Sequence, residues 1–473
     1  MAAVLALLAG CSEKHMILAE KKAVENGLLP AIQVKGTPSV KFNIHERMEY
    51  YNVPGLSIAV VKEGRIRWAD GYGIANTETG KMVDENTLFQ AASISKPVAA
   101  LGVLMLAEEG LIDIHSDANN YLKDWKIPGN EHTIEERVTP ARLLSHTAGM
   151  TVHGFPGYPQ NDDFPILTDV LNGNGNTPPV FVDTIPGSIW RYSGGGYTVM
   201  EKVVEDITGV PFEEFMGERV LTPLGMSNST YEQPLPGHFH DVASAAYNRQ
   251  GKIIEGLWHN YPEKAAAGLW TTPSDLARYC IEIQDIVSGK SAGIISNESV
   301  VKMLTRLQND WGLGPSLRWG ADSLIFEHGG KNAGFTNTLV SFANRGDAVI
   351  IMANGDGARE LINEILRSVS YYYQWGISYP EIAEPVEMPG EVDLLTGEYA
   401  YRIDDKDFVL KINTENGELY ASKNEIKTTL VHVGELQFIS EDGDRYIFSK
   451  EREPGIYSLI LNRTFRLLKA KRE

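Results

Sequence analysis

Ser93-Ile94-Ser95-Lys96 places a serine and a lysine three residues apart at the head of an apolar run. A serine hydroxyl is a poor nucleophile at neutral pH and needs a neighbouring group to take its proton. Residues i and i+3 share one face of a helix, so this spacing sets the Lys96 amine beside the Ser93 oxygen. Val98 to Leu106 is almost wholly apolar, as expected of a helix buried in a large core. Pro97 is tolerated there because the first helical turn has N–H groups without intrahelical partners. Those same N–H groups favour a developing oxyanion near Ser93.

Two later stretches carry complementary chemistry. Tyr192-Ser193-Gly194 follows a Pro186-Gly187 turn and precedes a predicted helix from about Gly196 to Thr208. A phenol titrates near 10, and a neighbouring ammonium such as Lys96 would favour its phenolate. Tyr192 would then act as general base toward Ser93 and as acid toward the leaving group. His328-Gly329-Gly330 continues the predicted strand Ser323 to Glu327 and is followed by Lys331. Glycines in a strand cost stability and often mark close approach of a ligand to the backbone. The Lys331 backbone N–H would be a second oxyanion donor beside that of Ser93. Taken singly, each has a plainer reading: a chance S-x-x-K, a rim tyrosine among 20 tyrosines, a turn histidine.

Taken in order, the three motifs resemble the S-x-x-K, Y-x-N and K-T-G or H-x-G set of the serine β-lactamase and penicillin-binding protein superfamily. The branch most similar holds class C β-lactamases, D-alanyl-D-alanine carboxypeptidases and related esterases. Pro54 to Val61 and Gly71-Tyr72-Gly73 resemble its opening strands. Leu143 to Met150, Pro223-Leu224-Gly225-Met226 and Ala267 to Leu276 match further landmarks. The resemblance runs from about residue 38 to 375. It implies that Ser93 is acylated, that Lys96 and Tyr192 handle its proton, and that His328 and Gly330 line the edge where substrate lies. His146 matches a landmark read as structural. Two positions depart from the pattern: Gly194 stands where many relatives have asparagine, and His328 replaces the lysine of K-T-G. A histidine is largely neutral at pH 7 and grips a carboxylate more weakly than lysine. Both departures weaken the case for an efficient β-lactamase.

Composition sets the surroundings. The chain has 473 residues, 43% hydrophobic and 22% charged, which suits a soluble protein of two or three domains. Its net charge of −19 comes with no basic patch, so nucleic acid is not an expected partner. With 2 cysteines no disulfide framework is expected, and no C-x-x-C spacing suggests a metal. Cys280 lies in a helical pattern, Ser274 to Val287, and reads as core; His238 and His240 read as surface residues of a loop. No cofactor is implied.

Met1 to Gly10 is apolar, too short to span a bilayer, and reads as a signal-peptide core. Leu8-Ala9-Gly10-Cys11 resembles the bacterial lipobox, whose cysteine is acylated and becomes the mature N-terminus. No Lys or Arg precedes the apolar run, unlike an ordinary signal peptide; the alternative is an apolar turn packed on the domain. Export to the periplasmic side, with a lipid anchor at Cys11, is the expectation.

The elements that position the motifs follow from periodicity. A helix is predicted from Val40 to Tyr51, then strands Leu56 to Lys62 and Arg65 to Asp70 across a Glu63-Gly64 turn. A long helix-and-loop stretch follows Ser93. Strands return at Ser323 to Glu327, Thr338 to Phe342 and Ala348 to Ala353, before an amphipathic helix, Gly357 to Tyr372. The expected domain is α+β: one antiparallel sheet flanked by helices and closed by both ends of the segment, with a helical lobe. About eight short strands between Glu398 and Lys469, with hairpin signals at Asn416-Gly417 and Asp442-Gly443, predict a small antiparallel β-barrel. It resembles the lipocalin-like domain often appended to such enzymes. The expected division is a signal peptide over 1–11, a tether over 12–37, a catalytic domain over 38–375, a linker over 376–390 and the barrel over 391–473.

The leading expectation is a serine hydrolase forming an acyl-enzyme on esters, D-amino-acid peptides or amides, or β-lactams, with a small-molecule or peptidoglycan-derived substrate. A catalytically weak penicillin-binding-type sensor is the alternative. An α/β-hydrolase would need a G-x-S-x-G elbow between strand and helix. The one match, Gly289 to Gly293, trails a predicted helix and reads as a loop.

Overall fold

Leu56 to Val61 and Ala348 to Ala353 are nearly continuous apolar runs, a pattern consistent with strands covered on both faces. The computed structural model, which describes residues 2–390, 392–403, 406–423, 426–440, 443–451, 457–461 and 465–469, puts these runs side by side at the centre of one sheet. Its strands are β1 (Gly55–Lys62), β2 (Arg65–Asn76), β3 (Lys81–Met82), β4 (Ser316–Gly320), β5 (Ser323–Asn332), β6 (Phe335–Phe342) and β7 (Ala348–Ala353). The order is β3-β2-β1-β7-β6-β5-β4, antiparallel throughout, with Ile58 opposite Ile351 where the first and last strands meet. The expected closure by both ends of the segment is therefore present. β4 has no counterpart among the expected strands.

Contacts divide the chain into two compact units, Met1–Lys21 with His45–Ile362 and Lys22–Ile44 with Asn363–Glu473. In the first, helices α1 (Ala2–Glu25, through Lys21), α2 (Ser95–Glu108), α3 (Gly194–Thr208) and α4 (Pro273–Val287) surround or adjoin the sheet. α4 packs on β1 and β7, and its Cys280 is buried, as expected of a core residue. α2 has one exposed end and is otherwise buried, so its apolar run joins the same core as Leu143, Tyr197 and Phe212. Glu20 and Glu13 on α1 pair with Arg67 of β2.

In the second unit, eight strands close into a barrel: β8 (Gly397–Ile403), β9 (Lys406–Glu415), β10 (Glu418–Lys423), β11 (Ile426–Gly434), β12 (Gln437–Ser440), β13 (Arg445–Lys450), β14 (Tyr457–Leu461) and β15 (Phe465–Lys469). Asn416 and Gly417 both have positive φ, 54° and 82°, as a two-residue hairpin turn matching the strand twist requires. Of the second hairpin signal, Asp442 lies outside the described residues. Tyr399, Leu410, Ile412, Leu419, Leu430, Phe438, Phe448 and Leu459 fill the interior.

Residues 12–37, expected as a tether, are ordered into elements. They are helical as far as Glu25, and Leu28, Leu29, Ile32 and Val34 are buried. Ile32–Val34 pairs in parallel with Glu381–Ala383, inside the stretch expected as a linker. Arg367 Nε donates to the Leu29 carbonyl at 2.8 Å, and Ile439 packs on Ile32 and Val34. The apolar residues are too sparse to form a period, yet Val24, Leu28, Leu29, Ile32 and Val34 are buried, while Met16 and Leu18 stay exposed. No helix among the described residues is long and apolar enough to cross a membrane.

Candidate active site

Ser93 stands in a single 3₁₀ turn, Ala92–Ile94, immediately ahead of α2. Ala92 holds φ at +53°, a left-handed conformation that costs an alanine about 1–2 kcal/mol. The surroundings fix that turn. Ala91 N–H donates to Leu269 O at 2.8 Å; Ser95 Oγ donates to Ala92 O at 2.5 Å and accepts from Leu269 N–H at 3.0 Å. The Tyr231 hydroxyl donates to Ser95 O at 2.7 Å. Such strain is found where a side chain must be presented rather than packed, and Ser93 is the least buried residue of its turn.

Lys96, one turn on, is 2% exposed. Its Nζ lies 3.1 Å from Ser93 Oγ and 2.7 Å from the Ala266 carbonyl. Burial without a compensating carboxylate lowers its pKa to about 7. The neutral amine can donate to Ala266 O while its lone pair faces the Ser93 hydroxyl. An amine with this pKa can serve as a base at neutral pH.

Tyr192 faces the same amine, with Lys96 Nζ 4.9 Å from its ring centroid. The expected phenolate is not what the structure supports. Burial raises the Tyr192 pKa, opposed only by hydrogen bonding with Ser93, and desolvation outweighs any benefit from a lysine that is itself half neutral. The hydroxyl is buried without a partner of ordinary hydrogen-bond geometry. Tyr192 is therefore a neutral O–H, suited to relaying a proton toward a leaving group. His146 supports it from behind, its ring centroid 4.2 Å from that of Tyr192 and its Nδ1 accepting the Ser193 N–H at 3.1 Å. Burial, then the Lys96 charge, holds His146 well below its ordinary pKa, so it is a neutral support for the tyrosine. Trp311 closes the cluster, 5.8 Å from Tyr192 and 5.5 Å from His328, a role with no signal in the sequence.

His328, Gly329, Gly330 and Lys331 form the last third of β5, where β4 no longer covers the strand: its pairing ends at Glu327 opposite Ser316. The Leu324 carbonyl is taken by Ala343 on the β6 side and the Glu327 carbonyl by Ser316 on the β4 side. Strand alternation then turns the N–H and C=O of Gly329 and Lys331 toward the uncovered edge. Gly330 explains one glycine: a Cβ there would lie 2.2 Å from the Ala91 carbonyl oxygen, so only glycine lets β5 approach the nucleophile turn. His328 is buried, its Nδ1 against Gly329 O at 2.6 Å; burial, then the Lys96 charge, push its pKa down to about 3. It is neutral at any working pH. The Lys331 side chain turns away to Asp356, and Arg318 pairs with Glu327 at 2.8 Å.

The Gly194 departure also has a structural counterpart. A Cβ at Gly194 would stand 2.7 Å from Phe155 Cε2 and 3.3 Å from His153 O, so the Phe155 ring occupies the space a side chain there would need. Elsewhere, His238 and His240 are exposed, and no cluster of three metal-ligating side chains occurs among the described residues. Gly289 to Gly293 trails α4 as a loop. Cys11 falls within α1, and its side chain lies outside what the structure describes.

The Beta-lactamase family profile matches residues 40–368. Penicillin-binding protein 4 of Amycolatopsis lactamdurans is 23% identical over 367 residues, covering 74% of this chain and 93% of its own. Penicillin-binding protein 4* of Bacillus subtilis (strain 168) is 23% identical over 335 residues, covering 67% and 71%. Among solved structures, the octameric penicillin-binding protein homologue from Pyrococcus abyssi superposes with a TM-score of 0.61 at 19% identity, over 90% of this chain and 98% of that one. Together with the sheet, the nucleophile turn and the uncovered strand edge, the profile match establishes that the chain belongs to the Beta-lactamase family.

Proposed function

We propose that the protein is a serine hydrolase that works through an acyl-enzyme on Ser93, with uncharged esters as its best substrates. Family membership makes serine acyl transfer or hydrolysis the kind of chemistry performed, on small-molecule or peptidoglycan-related substrates. The observation that carries the finer reading is the 3.1 Å approach of a buried Lys96 amine, with its pKa near 7, to the Ser93 hydroxyl. Lys96 takes the Ser93 proton as Oγ attacks the substrate carbonyl. The backbone N–H groups of Ser93 and Lys331 hold the oxyanion. As the tetrahedral adduct collapses, the proton passes from Lys96 through the Tyr192 hydroxyl to the leaving group, and water then releases the acyl group by the reverse route.

The preference for esters rests on the strand edge. His328 is neutral, and Lys331 and Arg318 are committed to Asp356 and Glu327, so a substrate carboxylate meets no ready cation there. D-amino-acid peptides and β-lactams, which carry such a carboxylate, are expected to react more slowly. Fluorophosphonate and penicillin treatment with adduct mapping tests the chemistry: no adduct at Ser93, or one unchanged in Ser93→Ala, overturns it in favour of a binding protein. Turnover of a p-nitrophenyl ester, a chromogenic cephalosporin and a D-Ala-D-Ala peptide tests the preference, and faster cephalosporin hydrolysis overturns it. We also propose, from the lipobox-like sequence alone, that the protein is exported and anchored by lipid at Cys11. Cys11→Ser should release it from membranes, and full retention would argue against the anchor.

A further inference from the structure

We propose that Glu201 is a positioning residue for acylation: it holds the turn whose Ala266 carbonyl aims the Lys96 amine at Ser93. The assignment rests on the hydrolase reading above.

Glu201 lies in α3, nine residues beyond Tyr192, and is fully buried. Its Oε2 accepts the Ala265 N–H at 2.8 Å, and the next residue's carbonyl, Ala266 O, accepts from Lys96 Nζ at 2.7 Å. Ala265 and Ala266 belong to one π-helical turn, Lys264–Gly268, whose Ala266 and Ala267 N–H groups also bond Glu263 O, so the Glu201 contact helps hold the turn that carries the Ala266 C=O. A neutral amine has two hydrogens and one lone pair. Anchoring one N–H on Ala266 O leaves the lone pair a restricted arc, and that arc includes Ser93 Oγ. Without the anchor the lysine can rotate its lone pair away.

A bare charge at Glu201 would work against this chemistry, because a carboxylate near Lys96 would favour the ammonium and remove the base. The site avoids one. Burial, against the opposing pull of Lys264, raises the Glu201 carboxyl well above its ordinary range. Glu263, which opens the same turn, is also buried, with both carboxyl oxygens unpaired and its pKa pushed up to about 8. Lys264 turns instead to Glu213 at 2.5 Å. What the turn uses of Glu201 is the shape and the acceptor oxygen, both of which a glutamine supplies as well.

The test is the rate of Ser93 labelling by a fluorophosphonate in the full chain, followed from pH 5 to 9, with ester kcat and KM. Glu201→Gln is expected to label within about twofold of wild type with the same midpoint. Glu201→Met, which keeps the volume and loses the acceptor, is expected to lose about ten- to a hundredfold in rate and kcat with KM little changed, as misplacement of a reacting group costs. If Glu201→Met labels as fast as wild type, or Glu201→Gln is slowed as far as Glu201→Met, the assignment is overturned. Should Glu201→Met fail to fold, the Glu201→Gln profile decides alone: a shifted midpoint means Glu201 carries charge or a proton in the reaction. Absence of labelling in wild type overturns the hydrolase reading itself, and this assignment with it.

Discussion

The Lys96 amine sits 3.1 Å from the Ser93 hydroxyl, and burial alone, with no carboxylate among its causes, sets its pKa near 7. In the proposed mechanism, base and nucleophile are coupled by geometry and by proton affinity together.

Acylation should rise with pH through about 7 and level off above it, because only the neutral amine can accept the Ser93 proton. Lys96→Arg, which stays charged, should cost about 10²- to 10⁴-fold in labelling rate. The same shift acts on stability. Lys96 is lowered from its ordinary 10.5, so between about 7 and 10.5 the unfolded chain holds the extra proton and stability rises with pH. Denaturant unfolding at pH 7.5 and 9.5 should show this rise in wild type and a smaller one in Lys96→Met.

Tyr192→Phe should slow ester turnover about a hundredfold, with the acid midpoint still near 7, because the phenol relays a proton and does not set the base. Its hydroxyl is buried without a partner of ordinary hydrogen-bond geometry, so the variant should melt close to wild type. A pH–rate profile and a melting curve on one preparation check both parts.

Gly194→Asn should lose stability by about 1–3 kcal/mol, since its Cβ must displace the Phe155 ring from 2.7 Å. Phe155→Ala should cost less in that background than in wild type. A four-member mutant cycle read by urea unfolding measures the coupling, and strict additivity would show that the ring does not fill this space.

His328→Lys should place a cation at the uncovered edge of β5. The Lys96 charge already acts on the buried His328, so a cation at 328 acts back on Lys96 and the acid midpoint should fall below 7. Turnover of a D-Ala-D-Ala peptide relative to an ester should rise about tenfold, the worth of one charge-assisted hydrogen bond. Thermal stability should drop, because the new ammonium is buried. Parallel assays of the two substrates across pH check the ratio and the midpoint.

Much of this was readable from spacing. Ser93, Lys96, Tyr192 and the His328-Gly329-Gly330 run announce themselves because side-chain chemistry is encoded residue by residue, and alternation with hairpin turns outlines the barrel. What was hidden depends on backbone and on distance. The Ala266 carbonyl that holds Lys96 has no letter of its own and lies 170 residues away. Phe155 over Gly194 and Glu201 beneath Ala265 are ordinary core letters until the fold joins them. The Tyr192 phenolate that spacing suggests is absent for a different reason: burying the phenol outweighs the neighbouring charge, and burial is not legible in a three-letter motif. Ser316–Gly320 alternates, but it is five residues long and follows Gly312, Gly314 and Pro315, too short a run beside breakers to read as a strand.

The seam where Ile58 meets Ile351 has a consequence for the order in which the site can exist. Ser93, Lys96 and Tyr192 leave the ribosome well before residues 323–353, yet the strand edge that faces Ser93 and the partner that covers β1 are both in that late segment. Pairings between such distant segments form only after a long loop is closed. A chain halted before β5 would carry its nucleophile and its base and still have no surface on which to lay a substrate. On the proposed mechanism, topology alone would then withhold activity from the growing polypeptide until synthesis has passed the seam.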